Sequence, residues 1–237
     1  MTNLFDQKQL IPFNVIGDPD AQTTIETVLA EVAAGAQLIE LGLPFSDPVA
    51  DGPAVKAANQ RALQGQLTVA QAFTTIATIR QQTDVALALV TYANIPFVYG
   101  FDAFAAKVAE LGITTVIVPD MPHEESHLFR PILAAHGVDF GTIVGPATPE
   151  RIAEVVADAT DFLTVFPALP QPLLGQELAA IRAVSDLPIV INTPTSDPAT
   201  VAALAQLADG VQLTEALLAP TTADVATTMT QFIQALV

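Results

Sequence analysis

Three carboxylates, Glu40, Asp47 and Asp51, fall within the stretch ELGLPFSDPVADGP, residues 40–53, and their settings differ. Glu40 continues the apolar run Leu38-Ile39, whereas Asp47 and Asp51 lie among prolines and glycines. Side chains alternate along a strand, so Leu38 and Glu40 share one face. If that face points into a core, desolvation favours the neutral carboxyl and raises its pKa, and a group so tuned can give or take a proton near neutrality. Pointing outward, the same side chain would cap the loop or helix that follows. The triplets SDP and DGP are turn formers, because Asp bonds the backbone ahead of it and Pro fixes φ, so structural duty accounts for both aspartates. Asp51 held opposite Glu40 would instead give two carboxylates in unlike environments, able to divide the proton transfers of one reaction. Spacing alone is compatible with either. The two histidines at i and i+4, His123 and His127, sit on a predicted helix beside Glu124 and Glu125 and read as solvent-exposed, so no metal site is expected.

The elements that must position these groups are legible as an alternation. Apolar, β-rich runs occur at Leu10–Ile16, Gln37–Leu41, Val85–Val90, Thr114–Val118, Phe140–Val144, Phe162–Phe166, Pro188–Ile191 and Gly210–Leu213. Between them lie Ala-rich segments of helical period such as TTIETVLAEVAAGA, VAQAFTTIATIRQQ and AFAAKVAELG. Continuous apolar strands suit a parallel sheet covered on both faces, and eight βα units in 237 residues match a single (β/α)8 TIM barrel, usually about 250 residues long, spanning 1–237 as one domain. A doubly wound open sheet uses the same alternation, but no Gly-rich dinucleotide loop follows the first strand, where VIGDPDAQTT holds one Gly. The Pro-rich PALPQPLLG, residues 167–175, reads as a stiff loop on the barrel face. A net charge of -17, from 25 acids against 8 bases, opposes binding to nucleic acid or an anionic membrane. The opening MTNLFDQKQLIPF lacks the basic and apolar regions of a secretory signal, so none is expected there, and no run reaches the roughly 18 apolar residues that a membrane-spanning helix needs. With no cysteine, disulfides and thiol chemistry are excluded, and a cytoplasmic setting is expected.

ELGLPFSDPVADGP resembles the strand-2 signature of the tryptophan synthase alpha chain family, and it does not stand alone. IPFNVIGDPD is similar to that family's first strand and turn, TYANIPFVYG to the segment after strand 3, VIVPDMPHEES to that after strand 4 and IVGPATPERI to that after strand 5. The resemblance, which runs from about Leu10 to about Asp158, implies a TIM barrel that splits indole-3-glycerol phosphate into indole and glyceraldehyde 3-phosphate. It implies that Glu40 is the catalytic glutamate, protonating the indole ring carbon and helping to remove a hydroxyl proton, and that Asp51 accepts the indole N–H. It places Phe13 and Tyr92 against the indole, where otherwise they read as core aromatics, and Asp47, Asn94 and Asp120 near a partner interface, where otherwise they read as turn or cap residues. It implies no cofactor in this chain, and a beta-chain partner that carries pyridoxal phosphate in an α2β2 assembly.

The second half departs from that pattern. The family's lid after strand 6 carries Gly-Val-Thr-Gly; here FPALPQPLLGQELAAI is shorter and lacks it. Where the family has Gly-Phe-Gly-Ile-Ser after strand 7, this chain has INTPTSDP, in which Pro194 has no N–H to offer a phosphate. Where it has Gly-Ser after strand 8, DGVQLTEALL puts Thr214 and Glu215. A carboxylate beside a phosphate is repulsive by roughly 4 kcal/mol per pair of unit charges at about 4 Å with an effective dielectric near 20. Three functions follow as expectations: cleavage of indole-3-glycerol phosphate with an altered phosphate site, the same chemistry on a substrate without phosphate, or a weakly catalytic barrel that binds and regulates a beta-type partner.

Overall fold

The computed structural model describes residues 4–166, 171–218 and 225–236. Eight parallel strands, β1 Gln9–Val15, β2 Leu38–Gly42, β3 Ala86–Val90, β4 Thr115–Ile117, β5 Asp139–Val144, β6 Leu163–Val165, β7 Ile189–Thr193 and β8 Gly210–Leu213, pair in sequence order, and β8 returns to β1 to close the barrel. Each expected strand is found within one or two residues. The helices α1 Ala21–Ala33, α2 Pro53–Gln64, α3 Val69–Arg80, α4 Asn94–Tyr99, α5 Phe101–Glu110, α6 His123–Ser126, α7 Arg130–Ala135, α8 Pro149–Val156, α9 Gln171–Arg182, α10 Pro198–Ala205 and α11 Val225–Ala235 cover it. Among the described residues no helix is long and apolar enough to cross a membrane.

The strands are apolar on both faces because both are buried. Residues such as Ile39, Leu41, Leu87, Leu89, Val116, Ile191 and Val211 pack outward beneath the helices. Ile11, Leu38, Ala88, Ile117, Phe162 and Val190 meet inside. Period-two alternation carries the next inward residue two positions on, which puts Phe13, Glu40, Val90, Thr164 and Asn192 in a layer nearer the strands' C-terminal ends. Register sets Phe13 directly opposite Glu40, and Glu40 opposite Ala88. The Phe13 ring fills the space that a side chain on Gly42 would take: a Cβ there would come within 2.7 Å of Cζ.

Local chemistry fixes the helices. α1 starts at Asp20, whose side chain accepts from the Thr23 N–H at 2.8 Å. α3 starts with a complete capping box, Thr68 and Gln71 bonding each other's backbone N–H. Arg61, near the end of α2, grips Asp18 in the β1–α1 turn through two hydrogen bonds of 2.6 and 2.7 Å. The stiff loop expected over 167–175 is corrected in its second part: α9 already runs from Gln171, since a first helical turn accepts proline where no intrahelical N–H bond is lost. Residues 167–170 lie outside the described residues.

One polar pair stands in the outer layer. Asn14, pointing from β1 towards α1, donates to Glu31 Oε2 at 2.8 Å, while Glu31 Oε1 is buried without a partner among the described residues. Burial pushes the Glu31 carboxyl up to about 8, against the smaller opposing effect of the Asn14 hydrogen bond.

Candidate active site

Glu40 faces inward. It is 1% exposed, at the top of β2, and its Oε2 accepts a hydrogen bond from Gln212 Nε2 on β8. Its Oε1 has no partner among the described residues. Burial pushes the carboxyl up to about 8, with the Gln212 hydrogen bond opposing, so both protonation states are populated near neutrality.

Asp51 lies across the same cavity, of about 350 Å³, whose walls also include Phe13, Ile117, Thr164 and Phe166. Burial raises its pKa, while the Tyr92 hydroxyl and the Lys56 charge oppose that. Tyr92 Oη donates to Asp51 Oδ2 at 2.9 Å and accepts from the Ala50 N–H at 3.1 Å, and its ring stacks on Phe45 with centroids 4.9 Å apart. Tyr92 thus stands behind Asp51 as its holder and is not part of the cavity wall. Phe13 is part of that wall, and its ring leaves an apolar, flat-sided space beside Glu40.

The remaining residues singled out in the sequence divide in two. Asp120 accepts from the Ala93 N–H at 2.8 Å just ahead of α4, which Asn94 opens, and Asp47 accepts from its neighbour Ser46 at 2.9 Å on the exposed β2–α2 loop. None of the three reaches the cavity. Pro194, Thr214 and Glu215 do line it. Both the N–H and the hydroxyl of Thr214 are committed to the Thr193 carbonyl, at 3.1 and 3.0 Å. The Glu215 carboxylate lies against Gly52, at the N-cap of α2, where a Cβ would meet its Oε1 at 2.2 Å. Among the described residues, no Lys, Arg or His lines this cavity.

His123 corrects an expectation of exposure. Its side chain is only 16% accessible, with Nδ1 buried and without a partner among the described residues, because α6 is a single turn folded against Asp158. His127 is exposed. No group of three or more potential metal ligands occurs among the described residues. A wider cavity of about 500 Å³ opens between β4 and α8, but its Arg151 is engaged by Glu124 and Glu154 and its Arg130 by the Asp158 carbonyl. The inward carboxylates are in the barrel mouth, and we place the site there.

Sequence reasoning missed Gln212 and Asn192. The signal is present: each is an amide inside an otherwise apolar strand, on the inward parity of Gly210 and Val190.

The sequence profile described as tryptophan synthase alpha chain matches residues 2–235. The chain belongs to that family. Members are lyases that cleave indole-3-glycerol phosphate in tryptophan biosynthesis. The tryptophan synthase alpha chain of Lactiplantibacillus plantarum is 37% identical over 221 residues, covering 89% of this chain and 84% of that one. The Chloroflexus aggregans alpha chain is 40% identical over 219 residues, covering 88% and 82%. Tryptophan synthase subunit alpha from Legionella pneumophila superposes with a TM-score of 0.91 at 27% identity, covering 100% of this chain and 99% of the other. An open form of tryptophan synthase from M. tuberculosis gives 0.92 at 28%, covering 98% and 96%.

Proposed function

We propose that this chain performs the family's retro-aldol cleavage of indole-3-glycerol phosphate, with Glu40 as proton carrier and Asp51 as acceptor of the indole N–H. The observation that supports this best is the pairing of a fully buried, half-satisfied Glu40 with Asp51 across one cavity walled by Phe13. Glu40 in its protonated form gives its proton to indole C3, and Asp51 stabilises the positive charge that then develops at the ring nitrogen. The carboxylate left behind takes the proton of the hydroxyl on the carbon attached to C3. The bond between that carbon and C3 breaks, its electron pair restoring the indole, and the hydroxyl oxygen becomes the aldehyde of glyceraldehyde 3-phosphate. Glu40 ends protonated, as it began.

No cofactor of this chain's own enters that sequence. A beta chain carrying pyridoxal phosphate is the partner we assign, in an α2β2 assembly. Val49, Phe97 and Val98, at 75%, 69% and 74% exposure on the β2–α2 loop and α4, supply an apolar surface beside Asp47 and Asn94.

Glu215 favours a second reading, the same chemistry on an indole whose glycerol tail lacks phosphate, because its carboxylate then meets no phosphate dianion in a cavity that no cation lines among the described residues. Indole release from indole-3-glycerol phosphate and from its dephosphorylated analogue, with and without a beta chain, decides between them. Faster cleavage of the phosphorylated compound supports the first reading and faster cleavage of the analogue the second. Indole from neither makes the barrel a regulator. Glu40→Gln is expected to abolish release of indole with the fold intact; retained turnover removes Glu40 from the mechanism.

A further inference from the structure

Glu40, on β2, is held by an amide relay that reaches it from β7 and β8, the last two strands of the sequence. Asn192 Nδ2 on β7 donates to Gln212 Oε1 on β8 at 2.8 Å, and Gln212 Nε2 donates to Glu40 Oε2. All three side chains are buried, at 8%, 3% and 1% exposure. Register places Asn192 beside Gln212 on adjacent strands, so the relay is built into the sheet.

The polarity of the relay follows from the acceptor at its end. An ionised carboxylate can only accept, so Gln212 must turn its NH2 to Glu40 and its carbonyl to Asn192, which must then present its own NH2. Asn192 therefore decides which end of the Gln212 amide Glu40 meets. Because Oε2 is occupied as an acceptor in both protonation states, the proton that Glu40 carries is confined to Oε1, the oxygen without a partner in a residue that lines the cavity. We propose that Gln212, oriented by Asn192, is the positioning residue for the proton-carrying glutamate: it fixes the carboxyl plane and reserves Oε1 for proton transfer to and from substrate.

This rests on the lyase reading for its kinetic test but not for its spectroscopic one. Among the described residues, the charged groups that share the cavity with Glu40 are Asp51 and Glu215, and its neighbours across the strand pairs are Phe13 and Ala88. Neither apolar neighbour can replace the lost donor. In Gln212→Leu the alkaline limb of the kcat/KM profile, on which Glu40 loses the proton it must donate, is expected to move up by about one pH unit, as for loss of one hydrogen bond to an ionised group, with roughly tenfold lower activity on the plateau below it because the carboxyl plane is no longer held. KM should change by less than about threefold. Asn192→Asp removes the NH2 that faces Gln212 and puts an acceptor in its place, so the Gln212 amide turns over, its carbonyl meets Glu40, and the limb moves the same way although Gln212 is still present. In the Gln212→Leu background, Asn192→Ala should add no further shift, because the relay is already broken.

The same quantity can be read without turnover. Infrared titration of the protonated carboxyl band lost in Glu40→Gln, set apart from that lost in Glu31→Gln, gives the Glu40 midpoint directly. An upward shift of that midpoint in Gln212→Leu supports the proposal whether or not indole is released from either substrate. An unmoved midpoint, or a loss of activity equal at all pH values and accompanied by a lower Tm, makes Gln212 a packing residue only and overturns it.

Discussion

Two glutamates illustrate how one physical cause serves different ends at the scale of a residue. Glu31 and Glu40 are each fully buried, each held by one side-chain amide, and each pushed up to about 8 by desolvation. Glu40 borders a cavity, where the proposed reaction gives it something to protonate, whereas Glu31 lies between α1 and β1. For both, the folded pKa exceeds the unfolded value, taken as the ordinary 4.5. Between those values the folded chain keeps a proton that the unfolded chain releases, so stability is highest below the unfolded pKa and falls as pH rises towards 8. The slope is at most about 1.4 kcal/mol per pH unit for each group. The urea midpoint should therefore decline between about pH 5 and about pH 8. Glu31→Gln, which mimics the neutral form, should make that decline shallower, and the double change with Glu40→Gln should remove most of it. An unaltered slope in both would mean that other groups carry it. Glu31 was legible in principle, since Ile25, Val28 and Glu31 continue the buried stripe of α1; a charged residue in a helix is simply more often on the wet face.

At the scale of elements, strand positions were nearly all readable because parallel strands buried on both faces leave an unbroken apolar run. The part of the site carried by β2 was legible through the family resemblance, because a carboxylate that ends such a run can by position alone either face the barrel mouth or cap the loop that follows. The relay on β7 and β8 was harder to see, because one amide within a strand has many structural explanations and its partner is twenty residues away. The first turn of α9 was hidden by the prolines around it. Helix caps are independent of the chemistry. Thr68→Ala, which dismantles the α3 capping box on the outside of the barrel, should cost about 1 kcal/mol of stability and leave kcat and KM unchanged; a loss of activity at constant stability would tie α3 to the site.

For the whole molecule, the first four strands and their loops carry the proposed catalytic pair, its Tyr92 holder and the exposed Val49, Phe97 and Val98, while the strands that complete the ring carry the relay and the acidic end of the cavity. If a beta chain docks on the apolar surface, Phe97→Asp should weaken that association by roughly tenfold or more, as expected for an anchoring aromatic, with the alpha reaction measured alone unaffected. Equal association of both forms would move the interface elsewhere. The ring also has a natural seam. Arg182 ends α9 with its guanidinium on the Leu187 carbonyl and on Asp209, and no Lys or Arg follows it in the sequence. A single cut after Arg182 leaves β7, α10, β8 and α11 together on one peptide, bearing two adjacent staves whose free edges match β6 and β1. A cylinder opened between staves keeps complementary hydrogen-bonding edges on both pieces, so the halves of the Glu40 relay, severed from one another covalently, have the means to find each other again as a two-piece enzyme.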